Sequence, residues 1–183
     1  VLDFWIRLGL LGLTAFAVTN NSAMITWVTG GASNWMVQYD TSGFTPGTGN
    51  FVSASNDTIT LSGLMALTSY DVYVKDSCGT SSTSPWVGPI SFTTLCNPFT
   101  APYTESFDTT VIPDCWSQTA VSGGPWLFSG STNSVQCNAA TDHTGNGGSY
   151  TWMDQSGGDA GVSLVMGAVD VSALTVPYLE FYY

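Results

Sequence analysis

The stretch "LSGLMALTSYDVYV", Leu61 to Val74, decides how this chain is read. Its two ends belong to segments of β pattern, "DTITLSG" and "SYDVYVKDS", joined through a short connection. Working outward from it, "FAVTNNSAMITWV" alternates apolar and polar residues around an Asn-Asn-Ser turn, which predicts two strands joined at Asn20 to Ser22. "NWMVQYD" places Trp35, Val37 and Tyr39 on one face, "TSGFTPGTGN" is a turn-rich connection, and "FVSAS" and "GPISFTTL" supply further strands. About seven short strands at this spacing, with almost no helical periodicity, predict a β-sandwich.

Composition narrows the functional classes. Of the 183 residues, 44% are hydrophobic and 13% aromatic, enough for a sizeable core and far from a disordered tail. Thirteen acids face only Arg7 and Lys75, for a net charge of −11. Nucleic-acid phosphates need Lys and Arg to release counterions, so nucleic acid is excluded as a partner. Anionic membranes are excluded on the same ground. Divalent cations, basic proteins and neutral glycans stay open. The N-terminal "VLDFWIRLGLLGL" is interrupted by Asp3 and Arg7 and is far shorter than the ~20 residues that span a bilayer. Residues 1–12 are therefore read as the end of a preceding module or a first strand, without membrane insertion.

The residues of the first region resemble a fibronectin type III domain, over 13–95. The resemblance is carried by "LTAF" leading to "ITW" with Trp27, by "WMVQY" with Tyr39, and by "LSGLMALTSYDVYV" running on to "GPISFTT". It implies that Tyr70 is a tyrosine corner, its phenol hydrogen-bonded back across the end of the sandwich. "CGTSSTSPWVGPISFTTLC" is similar to the form of this domain in secreted proteins of Bacteroidetes-type bacteria. Trp27, Tyr39 and Tyr70 are read as structural residues.

After Cys96 the composition shifts. Residues 96–102 read as a Pro-containing linker, and "ESFD", "CW", "DHTGNGGSY" and "YLEFYY" follow in the order found in MAM domains, which the region 103–183 resembles. The resemblance implies a jelly-roll sandwich, incomplete here because a family member continues with further strands. The fold class expected is therefore all-β, two consecutive antiparallel sandwiches, the second truncated.

"TDHTGNGGSYTWMDQ", Thr141 to Gln155, holds the lone histidine. His143 with Asp142 has no nucleophile motif such as G-x-S-x-G beside it and no second histidine for zinc. Catalysis is set aside. In the structural reading Asp142 and Thr144 bond loop backbone, Gly145, Gly147 and Gly148 take positive φ, and Tyr150 and Trp152 enter the core. The competing reading is calcium, whose hard cation wants several oxygens. Some jelly-roll modules, which this region resembles, bind calcium near the first strand, and that resemblance implies Glu105, Asp108 and Asp142 as the trio, with Asp154 and Asp159 as lesser additions, though none has EF-hand spacing.

Four cysteines without any C-x-x-C pair suggest disulfides in an oxidising, extracellular setting rather than zinc. If Cys78 and Cys96 end adjacent antiparallel strands, about eight extended residues hold them roughly 26 Å apart at ~3.3 Å per residue. A disulfide needs Cα atoms within about 7 Å. Cys96 with Cys115 is the preferred pair, and Cys78 and Cys137 are unassigned. "DTI" and "DTT" are similar to the Asp-Ser/Thr-apolar sites of O-glycosylation in exported proteins, which points to Thr58 and Thr109.

The expected function is that of a non-catalytic piece of a secreted or cell-surface multidomain protein, acting in adhesion, spacing or extracellular, including filamentous, assembly. Its partners would be other domains or copies of the protein, or surface glycans and proteins. Two alternatives stand beside it. One is an ancillary region of a secreted hydrolase such as a peptidase. The other is a carbohydrate-binding module, which needs exposed aromatics among Trp116, Trp126 and Trp152, residues expected to be mostly buried.

Overall fold

The computed structural model describes residues 10–77, 84–119, 126–129, 143, 148–153 and 162–182. Among them there is no helix, and the chain divides into two compact units, Val1–Asn97 and Pro98–Tyr183.

The first unit is a β-sandwich of seven strands. Strands β1 (Leu11–Phe16), β2 (Ser22–Val28) and β5 (Thr58–Ser62) form one antiparallel sheet in the order β1-β2-β5. Strands β3 (Trp35–Thr41), β4 (Asn50–Ala54), β6 (Ser69–Asp76) and β7 (Val87–Thr93) form the other, in the order β4-β3-β6-β7. Period-two alternation decides which side chains face inward. On β2 these are Ala23, Ile25 and Trp27, on β3 Trp35 and Val37, and on β6 Tyr70, Val72 and Val74, all buried in one cluster with Leu61, Leu64 and Phe92. Tyr39, expected on the same face, is partly buried against that cluster. Each fully buried aliphatic side chain contributes on the order of 1.5–3 kcal/mol. The sandwich reaches further toward the N-terminus than the expected boundary at Leu13, since β1 starts at Leu11 and Leu10 already sits in the core.

Proline in "VGPISFT" is tolerated because the ladder breaks where it falls. Pairing runs from Val72 with Ile90 to Val74 with Val87, so Gly88 and Pro89 together face Tyr73 in a bulge. Gly88 has φ +127° there, and a Cβ on it would stand 2.6 Å from the Val72 carbonyl oxygen.

The second unit is built of shorter ladders. Strand β10 (Leu127–Ser129) pairs antiparallel with β11 (Tyr150–Trp152), and β9 (Ser117–Thr119) with β12 (Ser163–Val165). Strand β8 (Phe99–Thr100) pairs in parallel with β13 (Val169–Asp170), a departure from the expected antiparallel arrangement that the long intervening chain permits. The expected linker at 96–102 therefore contains a strand of the second unit. No strand follows β13 among the described residues, although "YLEFYY" is rich in β-favouring aromatics. Tyr178, Leu179, Phe181 and Tyr182 are exposed there.

Candidate functional site

The chemistry-bearing side chains of the first unit serve the fold. The Tyr70 hydroxyl accepts the Met65 backbone N–H at 3.0 Å, closing the connection between β5 and β6 as a tyrosine corner does. Beside it, Asp71 points to the other face of β6 and is nevertheless buried. Its Oδ1 accepts from the Ser91 hydroxyl at 2.6 Å and the Ser42 hydroxyl at 2.9 Å, and its Oδ2 from the Gly43 N–H at 2.8 Å. The Ser91 bond, then the Gly43 N–H and Ser42, hold its carboxyl below the usual carboxylate range, against the opposing effect of burial. Gln38, fully buried on β3, accepts the Gly47 N–H at 2.8 Å and donates to the Gly49 carbonyl at 3.4 Å. The turn-rich connection Thr41 to Asn50 is thus clamped onto its own sheet by an acid and an amide. Neither residue was singled out by the sequence, where each is only the polar member of an alternating strand. On the same unit the Lys75 ammonium lies 4.6 Å from the Trp86 ring centroid, within cation–π range.

The "ESFD" stretch of the second unit forms a self-contained turn. Glu105 Oε1 accepts the Phe107 N–H at 2.8 Å, and its Oε2 accepts from the Tyr103 hydroxyl at 3.1 Å. That hydroxyl in turn accepts the Trp116 indole N–H at 3.2 Å. Burial pushes the Tyr103 phenol above its usual range, with the Glu105 carboxylate adding to the effect. The turn fixes Phe107 at φ +56°, and its ring packs edge-on to Trp116 and tilted against Phe128. Asp108 accepts from the Ser106 hydroxyl at 2.6 Å. Of the expected calcium trio, Glu105 and Asp108 each hold a local turn, and Asp142 lies outside the described residues, as do Asp154 and Asp159. Among the described residues no three acids, cysteines or histidines gather as a metal site.

Cys96 and Cys115 are joined by a disulfide. Cys78 and Cys137 lie outside the described residues, as do Thr144, Gly145 and Gly147. His143 is exposed and stacks on Tyr182, with ring centroids 3.4 Å apart. Thr58 is half-buried, and its hydroxyl donates to that of Thr26 across β5 and β2. Thr109 is exposed, with its hydroxyl bonded to the Val111 carbonyl, and so is the more accessible of the two as a modification acceptor.

Tyr150 and Trp152, expected to enter the core, are partly buried, as is Trp126; among the described residues the β10–β11 ladder has two strands, and one side of it opens onto a cleft. The cleft, of about 600 Å³, is lined by Trp126, Trp152, Phe128, Gln118, Val111 and Ile112, with Thr110 and Ser129 at its margin. Phe128 is buried, and the Trp152 indole N–H donates to the Ser129 hydroxyl at 2.9 Å. Trp116 is half-buried in the Tyr103–Phe107 network and does not line the cleft.

No protein-family model and no curated protein matches the chain. Solved structures are similar to part of it. One, described as a myokine structure, is 20% identical with a TM-score of 0.41, over 47% of this chain and 95% of the other. The FN1–FN3 domains of chicken CNTN1 are 14% identical with a TM-score of 0.42, over 46% of this chain and 29% of theirs. A structure of titin kinase and its flanking domains is 20% identical with a TM-score of 0.39, over 47% of this chain and 17% of the other.

Proposed function

We propose that the chain is a non-catalytic region of a secreted or cell-surface protein, a fibronectin type III-like sandwich followed by a MAM-like unit, acting in adhesion, spacing or extracellular assembly. The observation that carries this reading is how the polar side chains of the first unit are used. Tyr70, Asp71 and Gln38 are all consumed in tying loops to sheets, which stiffens the unit as a structural module requires. The Cys96–Cys115 disulfide supports an oxidising compartment. A chain with −11 net charge and few ionised side chains to spare is suited to neutral or basic partners.

The test has two arms on the purified chain. Beads coated with it should adhere to one another or to surfaces bearing the partner, while generic peptide, ester and glycoside substrates should stay intact. Beads that disperse as uncoated ones do would overturn the adhesive reading, and turnover of any substrate would overturn the non-catalytic one.

A further inference from the structure

The first unit has four edge strands, β1 and β5 in one sheet and β4 and β7 in the other. A free edge is a template for pairing with another chain, and proteins blunt it with bulges, proline or charge. Two of the four are blunted. The β1 register breaks between Leu11 and Thr14, around Gly12 at φ +63°, and β7 carries the Gly88–Pro89 bulge. Strand β4 keeps a regular register, yet Asn50 at its end holds the Asp40 carboxylate at 3.5 Å, so an acid sits beside that edge. Strand β5, Thr58–Ser62, has no glycine, proline or charged residue, and its register against β2 is unbroken.

The ladder also fixes which backbone groups of β5 face outward. The Trp27 N–H donates to the Asp57 carbonyl at 3.1 Å, and hydrogen-bonded pairs recur at every second position of an antiparallel ladder, so Ile59 and Leu61 direct their N–H and C=O groups to β2. Those of Thr58, Thr60 and Ser62 point to the open edge, where no strand pairs with them among the described residues.

We propose that β5 is a self-pairing edge, through which two copies of the chain join antiparallel about a two-fold axis at Thr60, so that the sheet β1-β2-β5 continues into β5-β2-β1 of the second copy. Three features select this partner. With the axis at Thr60, that residue exchanges both backbone hydrogen bonds with the partner's Thr60, and Thr58 does so with the partner's Ser62, so every outward-facing residue of the strand is paired. On the outer face hydroxyl then meets hydroxyl, and on the inner face Ile59, partly buried against the core, meets the partner's Leu61. Charge is kept off the seam. None of β1, β2 and β5 carries an ionisable residue, and their outer side shows Thr14, Thr26 and Thr58 in one row across the sheet and Phe16, Met24 and Thr60 in the next. Asp57, exposed just before β5, faces the partner's Gly63. The two Asp57 side chains thus sit at opposite ends of the paired strands, roughly 20 Å apart at ~3.4 Å per residue, beyond the ~8 Å screening length of physiological salt. A seam of 5 residues per copy is smaller than a standard interface, so the dimer is weak and forms where the chain is concentrated, as in an assembly. The inference gives the assembly reading a partner and rests on that reading only for the purpose of the contact.

Sedimentation velocity of the whole chain, from about 10 μM to about 1 mM, covers the range in which so small an interface is populated. The expected result is a monomer–dimer equilibrium that tightens as salt is added, because each chain carries a net charge of −11 while the seam carries none. Thr60→Lys and Thr60→Glu each set like charges opposite one another at the axis, and each variant alone should stay monomeric where the parent dimerises. An equimolar mixture of the two should dimerise again, since Lys then faces Glu. Thr60 is exposed, so both variants should keep the fold, which far-ultraviolet circular dichroism checks, and recovery on mixing shows independently that each is folded. Phe51→Lys, on the β4 edge, should leave the dimer unchanged. The proposal is overturned by a chain that is monomeric throughout, by a dimer that salt loosens, by Thr60 variants that associate as the parent does, by a mixture that stays monomeric, or by loss of the dimer in Phe51→Lys. The pairing is read in free solution and adhesion on beads, so either can fail while the other stands.

Discussion

The Tyr70 hydroxyl receives the backbone N–H of Met65, five residues upstream, at 3.0 Å, while its ring lies 5.8 Å from that of Phe92 in a stacked arrangement. One side chain thereby ties the β5–β6 connection to the sandwich core. Tyr70→Phe keeps the ring and strands the Met65 N–H, so it should cost ~1–3 kcal/mol. Tyr70→Ala also opens a cavity and should cost ~3–5 kcal/mol. Urea unfolding of the two variants checks the order: equal losses would show that burial of the ring contributes nothing, and no loss in Tyr70→Phe would show that the hydroxyl contributes nothing.

Trp27 and Trp35 meet edge to face across the two sheets, with centroids 5.7 Å apart, both buried. Trp27→Ala should cost ~3–5 kcal/mol, because the surrounding strands cannot close the cavity. Trp27→Phe keeps an aromatic partner for Trp35 and should lose less than half of that. A melting temperature unchanged in Trp27→Ala would contradict the packing.

Asp71 makes the first unit acid-sensitive in a defined direction. Its folded pKa is lowered below the ordinary 3.8, foremost by the Ser91 hydroxyl and the Gly43 N–H. A lowered folded value means that the ionised form stabilises the fold above pH ~4 and that this stability drains away as pH falls through the lower, folded value. Hydrogen bonds to a charged group are worth ~1.5–3 kcal/mol, so Asp71→Asn should lower stability at pH 7 and flatten its decline between pH 4 and pH 2. Ser91→Ala should raise the Asp71 pKa more than Ser42→Ala does, as read from its carboxyl carbon resonance.

The first unit was legible because its strands are long enough to alternate. "SAMITWV" and "SYDVYVKD" each show three inward apolar residues, and Tyr70 announces its corner by position. Gln38 and Asp71 were not legible, since a polar residue on the outward side of a strand becomes buried only when a loop folds over it. In the second unit, ladders of two or three residues are too brief for alternation to fix a face. Its cleft joins Val111, Gln118, Trp126 and Trp152 from stretches far apart in sequence, a juxtaposition that no local pattern encodes.

Glu105 separates two accounts of the second unit. In the structure its carboxylate shapes a turn, accepting from Phe107 and Tyr103, and so positions Phe107 between Trp116 and Phe128. On that account one carboxamide oxygen suffices for the Phe107 N–H, so Glu105→Gln should melt within about 3 °C of the parent. Glu105→Ala strands that N–H and frees Tyr103, a loss of ~1–3 kcal/mol. At ~4–8 °C per kcal/mol for a domain of this size, the second unit should melt well below the parent. A calcium ion held by Glu105, Asp108 and Asp142 requires something else: Gln would be as harmful as Ala in calcium, since an amide lowers the charge of the site, and chelator would erase the difference. The expected result is the first, with the same melting temperature in millimolar calcium and in chelator. A parent that melts several degrees higher in calcium would transfer Glu105 from the turn to the ion.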